Sequence, residues 1–274
     1  MLLAEIFNTE ILSCDARQFY RELIIGTSSP DKYMLYNIQH HFIGNLTIWN
    51  LYSAGDYQKD AFKKLNELFT RLPIVLMVGG SGLYGKVLTF GIDYLPFISK
   101  EISRYLHMIN LFQYEITKGI VYNNYHSFFR SLEVLSSSNR SFSSYHNKIT
   151  ISTYFYIVKI GLNLSRDDLY ERINKHIEYM IKFGFLEEAQ ECYYYRHLNA
   201  LQTIAYNDIF NYFDGKISFE KAIDKIKINT RRYSKRQLTW YKKEKKMQWV
   251  FSYKEPEIIE NVKKKLAYIK DKMS

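Results

Sequence analysis

Three short stretches of this 274-residue chain bring together side chains that can do chemistry. The first is Asp15-Ala16-Arg17-Gln18, directly after the apolar run Ile11-Leu12-Ser13-Cys14. It sets an acid, a guanidinium and an amide within one turn of chain. In open α/β sheets ligands bind outside the carboxyl ends of the strands, and an aspartate there can act as a general base or hold a metal. The plainer alternative is a turn former or helix cap. A hydroxyl-rich turn, Gly26-Thr27-Ser28-Ser29-Pro30, follows closely. The second stretch is Gly79-Gly80-Ser81-Gly82-Leu83-Tyr84, after the apolar run Ile74–Val78. Its glycines would let the backbone approach a ligand, with amides and the Ser81 hydroxyl as donors. It is not a phosphate-binding G-x-x-x-x-G-K-[ST] sequence, and a tight turn between strand and helix explains it equally well.

The third stretch, Thr230 to Trp240 (TRRYSKRQLTW), is the most specific. On a helix, Arg231/Lys235 and Arg232/Arg236 are i, i+4 pairs, so four cations line one broad side. Like charges at that spacing repel by a few tenths of a kcal/mol per pair, which a polyanionic partner would offset. Interleaved aromatics and Gln237 suit RNA, where stacking and polar contacts add to charge.

The elements that must position these stretches follow from periodicity. Glu10–Cys14, His41–Ile43 and Ile74–Val78 are expected strands of a parallel sheet buried on both faces. Ser53 to Leu72 is an amphipathic helix, with Tyr57, Ala61, Leu65, Leu68 and Phe69 on its apolar face and Pro73 after it. Residues 101–150, with the serine-rich Ser136–Ser144, are expected to form an insertion. Thr153–Ile160 (TYFYIVKI) is β-branched and aromatic and is expected to return to the sheet. Ser165 can cap a helix bearing Leu169, Ile173, Ile177 and Met180, closed by Gly184. Ser218 can cap a second helix running to Tyr241, and Trp249–Phe251 adds a last strand. Strand–helix alternation makes an α/β core the default.

Composition excludes several classes. With 47% hydrophobic and 24% charged residues the chain is globular rather than disordered. No apolar run reaches the roughly 18–20 residues of a membrane helix, and Glu5 interrupts the N-terminus too early for a signal peptide. Cys14 and Cys192 alone make neither a disulfide framework nor a zinc site. The net charge of +10 is uneven: residues 221–274 carry +11 and the rest −1. A localised basic stripe attracts a polyphosphate backbone, although Lys242–Lys246 and Lys263–Lys265 are equally explained as solvated lysines.

In this order, Ile11–Tyr20, Ile25–Pro30, His40–His41, Tyr52–Ala61, Pro73–Tyr84, Arg130–Val134, Lys159–Glu171, Gln202–Tyr206 and Asp214–Trp240 resemble one family, the tRNA dimethylallyltransferases (tRNA isopentenyltransferases). The resemblance covers nearly the whole chain. It implies a P-loop-NTPase-like α/β core of parallel sheet and flanking helices, a fold associated with nucleotide and ATP binding, formed by residues 1–100 and 151–274. A shortened helical insertion occupies residues 101–150. The implied reaction transfers a dimethylallyl group from dimethylallyl diphosphate to the exocyclic amine of the adenosine at tRNA position 37, in the anticodon stem-loop. Magnesium assists, and the target base is flipped out of its stack. Asp15 matches the aspartate that orients or deprotonates the amine. Asp15, Ala16, Arg17, Gln18, Ser81, Arg104, Arg130, Arg231, Arg232, Lys235, Arg236 and Gln237 match tRNA-contacting positions. Thr27, Arg172 and His176 match the diphosphate side. No residue is assigned as a metal ligand. A monomeric cytoplasmic protein is expected, with no membrane partner.

Departures accompany the match. The family opens with a strand and a Gly-Pro-Thr-x-x-Gly-Lys-[Thr/Ser] loop that holds the diphosphate, whereas Met1–Glu5 aligns with the helix after that loop. Electrostatic stabilisation of that kind is usually the largest catalytic term. Ala16 replaces a serine, His126-Ser127 a Gln-Arg pair, His176 an arginine, and Ala205 the glycine of an Ile-Gly-Tyr turn. Two readings therefore stay open: an active transferase whose beginning lies upstream of Met1, and a catalytically impaired homologue that keeps tRNA binding. A different P-loop-type phosphotransferase would leave the basic block unexplained.

Overall fold

The computed structural model describes residues 1–91, 95–96, 125–145, 154–244, 246–251 and 255–273, with backbone alone for 125–130, 270, 272 and 273. It divides into two compact units, Met1–Thr89 with Thr153–Ser274, and Phe90–Ser152. In the second unit the described elements are helix α5 (Tyr125–Ser138) and a short 3-10 turn at Phe142–Tyr145. The serine-rich stretch is thus a helix end followed by a turn.

The first unit is mostly helical around two small parallel sheets. Strand β1 (Ile11–Ser13) is buried along its whole length and lies between β2 (His40–His41) and β3 (Leu76–Val78). Ile11 faces His40 and Leu76, and both pairings are parallel. The second sheet pairs β4 (Lys159–Asn163) with β5 (Met247–Phe251), from Lys159 opposite Met247 to Asn163 opposite Phe251. The expected burial on both faces holds for β1 only. β3 has one strand neighbour among the described residues, and Met77 and Val78 are 40% and 55% exposed.

The strand expected at Thr153–Ile160 begins at Lys159 instead. Tyr154 and Phe155 turn their rings onto the helix α3 (Ala54–Phe69): Phe155 lies 5.5 Å from Phe69 and 6.3 Å from Phe62. Packing against that helix outweighs the strand propensity of the aromatics. Helix α3 itself starts where its sequence says. Ser53 and Asp56 form a reciprocal capping box, worth about 1 kcal/mol. Tyr57, Ala61, Leu65 and Leu68 are buried, and the Tyr57 hydroxyl donates to the Ser13 carbonyl at 3.0 Å, tying the helix to β1.

Four helices form the main apolar core: α6 (Arg166–Lys182), α7 (Phe185–Cys192), α8 (Ile204–Phe213) and α9 (Phe219–Tyr241). Ile173, Ile177 and Met180 of α6 meet Phe185, Tyr206, Ile209 and Ile226 there. Gly184, at φ +101, makes the left-handed step between α6 and α7 that a side chain would strain. The 23 residues of α9 span roughly 34 Å at 1.5 Å each. Its first half packs in this core, and its second half reaches the ends of β1 and β3. Helix α10 (Glu255–Met273) follows β5.

Candidate functional site

Asp15 stands where the chain leaves β1. The Cys14 amide still bonds the Val78 carbonyl at 2.8 Å; one residue later the Asp15 carboxylate accepts from the Arg17 amide at 2.9 Å, an Asx turn. The Ser13 hydroxyl donates to Gln18 Oε1 at 3.1 Å and accepts from the Asp15 amide at 3.3 Å. Burial pushes the Asp15 carboxyl above the usual carboxylate range, opposed by the Arg17 and Gln18 amides and the Arg17 charge. A carboxylate made more basic by burial is suited to accept a proton. Burial also pushes the neighbouring Cys14 thiol up to about 12, which leaves it inert.

Arg17 and Gln18 spend their side chains inside the protein. The Arg17 guanidinium donates to the carbonyls of Asn199, Ala200 and Gln202, the shortest contact being 2.8 Å. Gln18 Nε2 donates to the carbonyls of Thr27 and Ser28 at 3.4 and 3.0 Å. Both side chains shape the site rather than project from it.

The glycine-rich stretch and α9 interlock beside Asp15. A Cβ on Gly80 would lie 2.1 Å from Gln237 Nε2, and one on Gly82 would lie 2.4 Å from the Trp240 ring. Their backbone approaches protein side chains, so the stretch is a tight turn into helix α4 (Gly82–Phe90) that also admits α9. Gln237 Nε2 donates to the Gly80 carbonyl at 3.0 Å. Ser81 Oγ accepts from the Ala16 amide at 2.9 Å. The Tyr233 phenol lies beside Ser81 and Gln237, and burial, then the Asp15 charge, raises its pKa. Asp15, Ser81, Tyr233 and Gln237 therefore meet at the ends of β1 and β3.

Beyond this cluster Arg232, Lys235, Arg236, Thr239, Trp240 and Lys243 line an open groove of about 490 Å³. Of the four expected cations three face it. Arg231 turns inward: Nη2 donates to Asn174 Oδ1 at 2.8 Å, the guanidinium lies 4.8 Å from the Tyr170 ring centre, and Nε is buried without a hydrogen-bond partner. It pins α9 to α6. Lys243, outside the motif, also lines the groove.

Ser28 ties the turn that carries Thr27 to His176, while the Thr27 hydroxyl donates to the Leu23 carbonyl. Ser28 Oγ lies 2.8 Å from His176 Nε2, and the Thr27 and Ser29 hydroxyls lie 3.1 Å apart. Burial, then the Arg172 charge, holds the His176 imidazole below its ordinary range. Arg104 and the side chain of Arg130 lie outside the described residues. Sequence reasoning names Ser28 only as part of the hydroxyl-rich turn and gives no site role to Tyr233, Lys243 or Glu188, whose carboxylate accepts from the amides of Ile24, Ile25 and Gly26. Tyr233 had a signal: positions 233, 237, 240 and 241 share one face of a helix. Among the described residues no three His, Cys, Asp or Glu side chains cluster as metal ligands, and none of the helices is long and apolar enough to cross a membrane.

A family model described as IPP transferase matches residues 18–244. The chain is 41% identical to a tRNA dimethylallyltransferase of Christiangramia forsetii over 285 positions, covering 99% of this chain and 92% of the relative. It is 38% identical to a tRNA dimethylallyltransferase of Flavobacterium psychrophilum, covering 97% and 93%. The crystal structure of a tRNA isopentenylpyrophosphate transferase from Bacillus halodurans superposes with a TM-score of 0.73 at 28% identity, covering 99% of this chain and 92% of that one.

Proposed function

The chain belongs to the IPP transferase family, and we propose on that premise that it transfers a dimethylallyl group from dimethylallyl diphosphate to the exocyclic amine of the adenosine at tRNA position 37. The observation that carries this reading is the meeting of Asp15 with Ser81, Tyr233 and Gln237 beside a groove lined by Arg232, Lys235 and Arg236. The groove suits the anticodon stem-loop backbone, and the cluster suits one flipped base.

The amine nitrogen bonds to the allylic carbon as the carbon–oxygen bond to diphosphate breaks. Diphosphate leaves with the bonding pair, and the amine proton passes to Asp15. Thr27, Arg172 and His176 are the side chains proposed to face the diphosphate. Ser81 and Gln237 contribute a hydroxyl and an amide at the base, and Arg104 and Arg130 are proposed as further tRNA contacts. Residues 101–150 are proposed as the helical insertion of a P-loop-type core. The protein is proposed to work as a cytoplasmic monomer.

Magnesium belongs to this proposal only through the family. Around Thr27, Arg172 and His176 the side chains are hydroxyl, guanidinium and imidazole, and among the described residues no carboxylates cluster there. That set does not fit a dedicated magnesium site, and no step here runs through the metal.

The test is nucleoside mass spectrometry of unmodified tRNA incubated with the chain and dimethylallyl diphosphate. Dimethylallyl-adenosine is expected with the wild type and lost in Asp15→Asn; product from both would overturn the assignment of Asp15. His176 favours a second reading, tRNA binding with impaired transfer, because an imidazole held below its ordinary range is uncharged at neutral pH. That reading predicts tRNA affinity without product.

A further inference from the structure

The Gly26–Ser29 turn is fixed from a distance by one carboxylate. Glu188 Oε2 accepts from the amides of Ile24 at 2.9 Å and Ile25 at 2.7 Å, and Oε1 accepts from the amide of Gly26 at 2.9 Å. The Tyr206 hydroxyl donates to Oε1 as well. Four donors thus converge on a group that only accepts, in the manner of an anion held by successive backbone amides. Gly26 closes the arrangement: a Cβ there would lie 2.6 Å from the rings of both Phe185 and Tyr206.

The turn so held serves two places. Ser28, at φ +54, sets its hydroxyl 2.8 Å from His176 Nε2. The Ser28 carbonyl accepts from Gln18, whose other amide atom meets Ser13 beneath Asp15. We propose that Glu188 is a positioning residue for the transfer reaction, fixing the 24–29 turn so that Thr27, Ser28 and His176 face the prenyl diphosphate. This rests on the function proposed above, in which Thr27 and His176 face the diphosphate.

Glu188→Gln sets an amide donor against backbone donors, whereas Glu188→Asp keeps the charge and draws it back by one methylene. Tyr206→Phe removes one donor to the same carboxylate and leaves the three amides paired, so it is the control for stability alone. The experiment measures steady-state transfer to tRNA with both substrates varied, beside Tm for each variant. The KM for dimethylallyl diphosphate should rise in the order wild type, Glu188→Asp, Glu188→Gln, reaching about tenfold or more. The KM for tRNA should stay within about twofold. Tyr206→Phe should lower Tm and leave both KM values within about twofold.

Unchanged KM values in the Glu188 variants would overturn the proposal. So would a change in both substrates that follows Tm in all three variants, which is what a merely structural role gives. Glu188→Asp keeps the test decisive if Glu188→Gln does not fold. The two failures are separable. Transfer by the wild type, lost in Asp15→Asn, with flat KM values at Glu188 removes only the positioning role. Absence of transfer by the wild type, or equal transfer by Asp15→Asn, removes the underlying reading and the proposal with it.

Discussion

Arg231 and Arg232 are neighbours in sequence with opposite surroundings, and the contrast gives a prediction with its own control. Arg232 and Arg236 line the open groove, while Arg231 packs on Tyr170 and Asn174. Each phosphate contact adds about 0.7 to 0.9 to the slope of log affinity against log salt. Removing two in Arg232→Ala/Arg236→Ala should therefore lower the slope by about 1.4 to 1.8. Between about 50 and 200 mM salt each contact amounts to roughly a threefold loss, so the wild type should weaken about 7- to 12-fold more than the double variant. Arg231→Ala should leave the slope unchanged. It loses a stacked cation worth about 0.5–2 kcal/mol and a hydrogen bond worth about 0.5–1.5 kcal/mol. A combined loss of about 1–3 kcal/mol corresponds to a fall in Tm of about 2–12 °C. Filter binding of unmodified tRNA over a salt series, with thermal melts of the same preparations, measures both quantities. A double variant with the wild-type slope would mean that the groove is only solvated. An Arg231→Ala variant that flattens the slope would mean that this guanidinium reaches the RNA.

Asp15→Asn should cut kcat by about 100-fold or more and leave stability at neutral pH equal or higher. The sign follows from burial, which raises the Asp15 pKa: the folded chain holds that proton more readily than the unfolded one. Ionised Asp15 therefore costs stability above the folded-state pKa, and the cost vanishes as pH falls below the unfolded value. Melts across an acid series check this, and a lower Tm at neutral pH in the variant would contradict it. In the wild type the acidic limb of kcat/KM should sit above the ordinary carboxylate range. His176→Arg restores a permanent charge, so the KM for dimethylallyl diphosphate at neutral pH should fall by about tenfold. Its decrease toward acid pH, expected of the wild type as the imidazole is protonated, should flatten; an equally steep pH profile in the variant would count against His176. Gly82→Ala drives a methyl group into the Trp240 ring and should cost about 1–3 kcal/mol, read as a lower Tm with a shift in indole fluorescence.

The strand end and its aspartate were legible because a continuous apolar run ends in a polar cluster, and α3 was legible because its apolar steps and cap agree. The aromatic run from Thr153 misled because propensity is local, whereas Tyr154 and Phe155 find their partners on a helix some ninety positions earlier. The four-cation face was miscounted for a related reason. Spacing by four says which side chains share a row, not which end of the row lies against a neighbouring helix. Arg231 still abuts α6, and Lys235, one turn on, has passed it. Glu188 carried no signal, since nothing in an ordinary acidic helix start points to amides in an earlier turn.

The span of those contacts bears on how the protein is made. Ile24, Ile25 and Gly26 precede Glu188 by 164, 163 and 162 residues. At about 5–20 residues per second the ribosome delivers the carboxylate roughly 8 to 33 seconds after the amides it must pair. During that interval the turn has no anion to close around. The residues of the first sheet leave the exit tunnel long before the helices that complete the site. The nascent chain therefore carries the exposed Met77 and Val78 of β3 with its chemistry unassembled, and the site forms only once α9 has been made. Slowing translation late in the message, between the codons for Ser165 and Tyr241, lengthens that exposure far more than slowing it early.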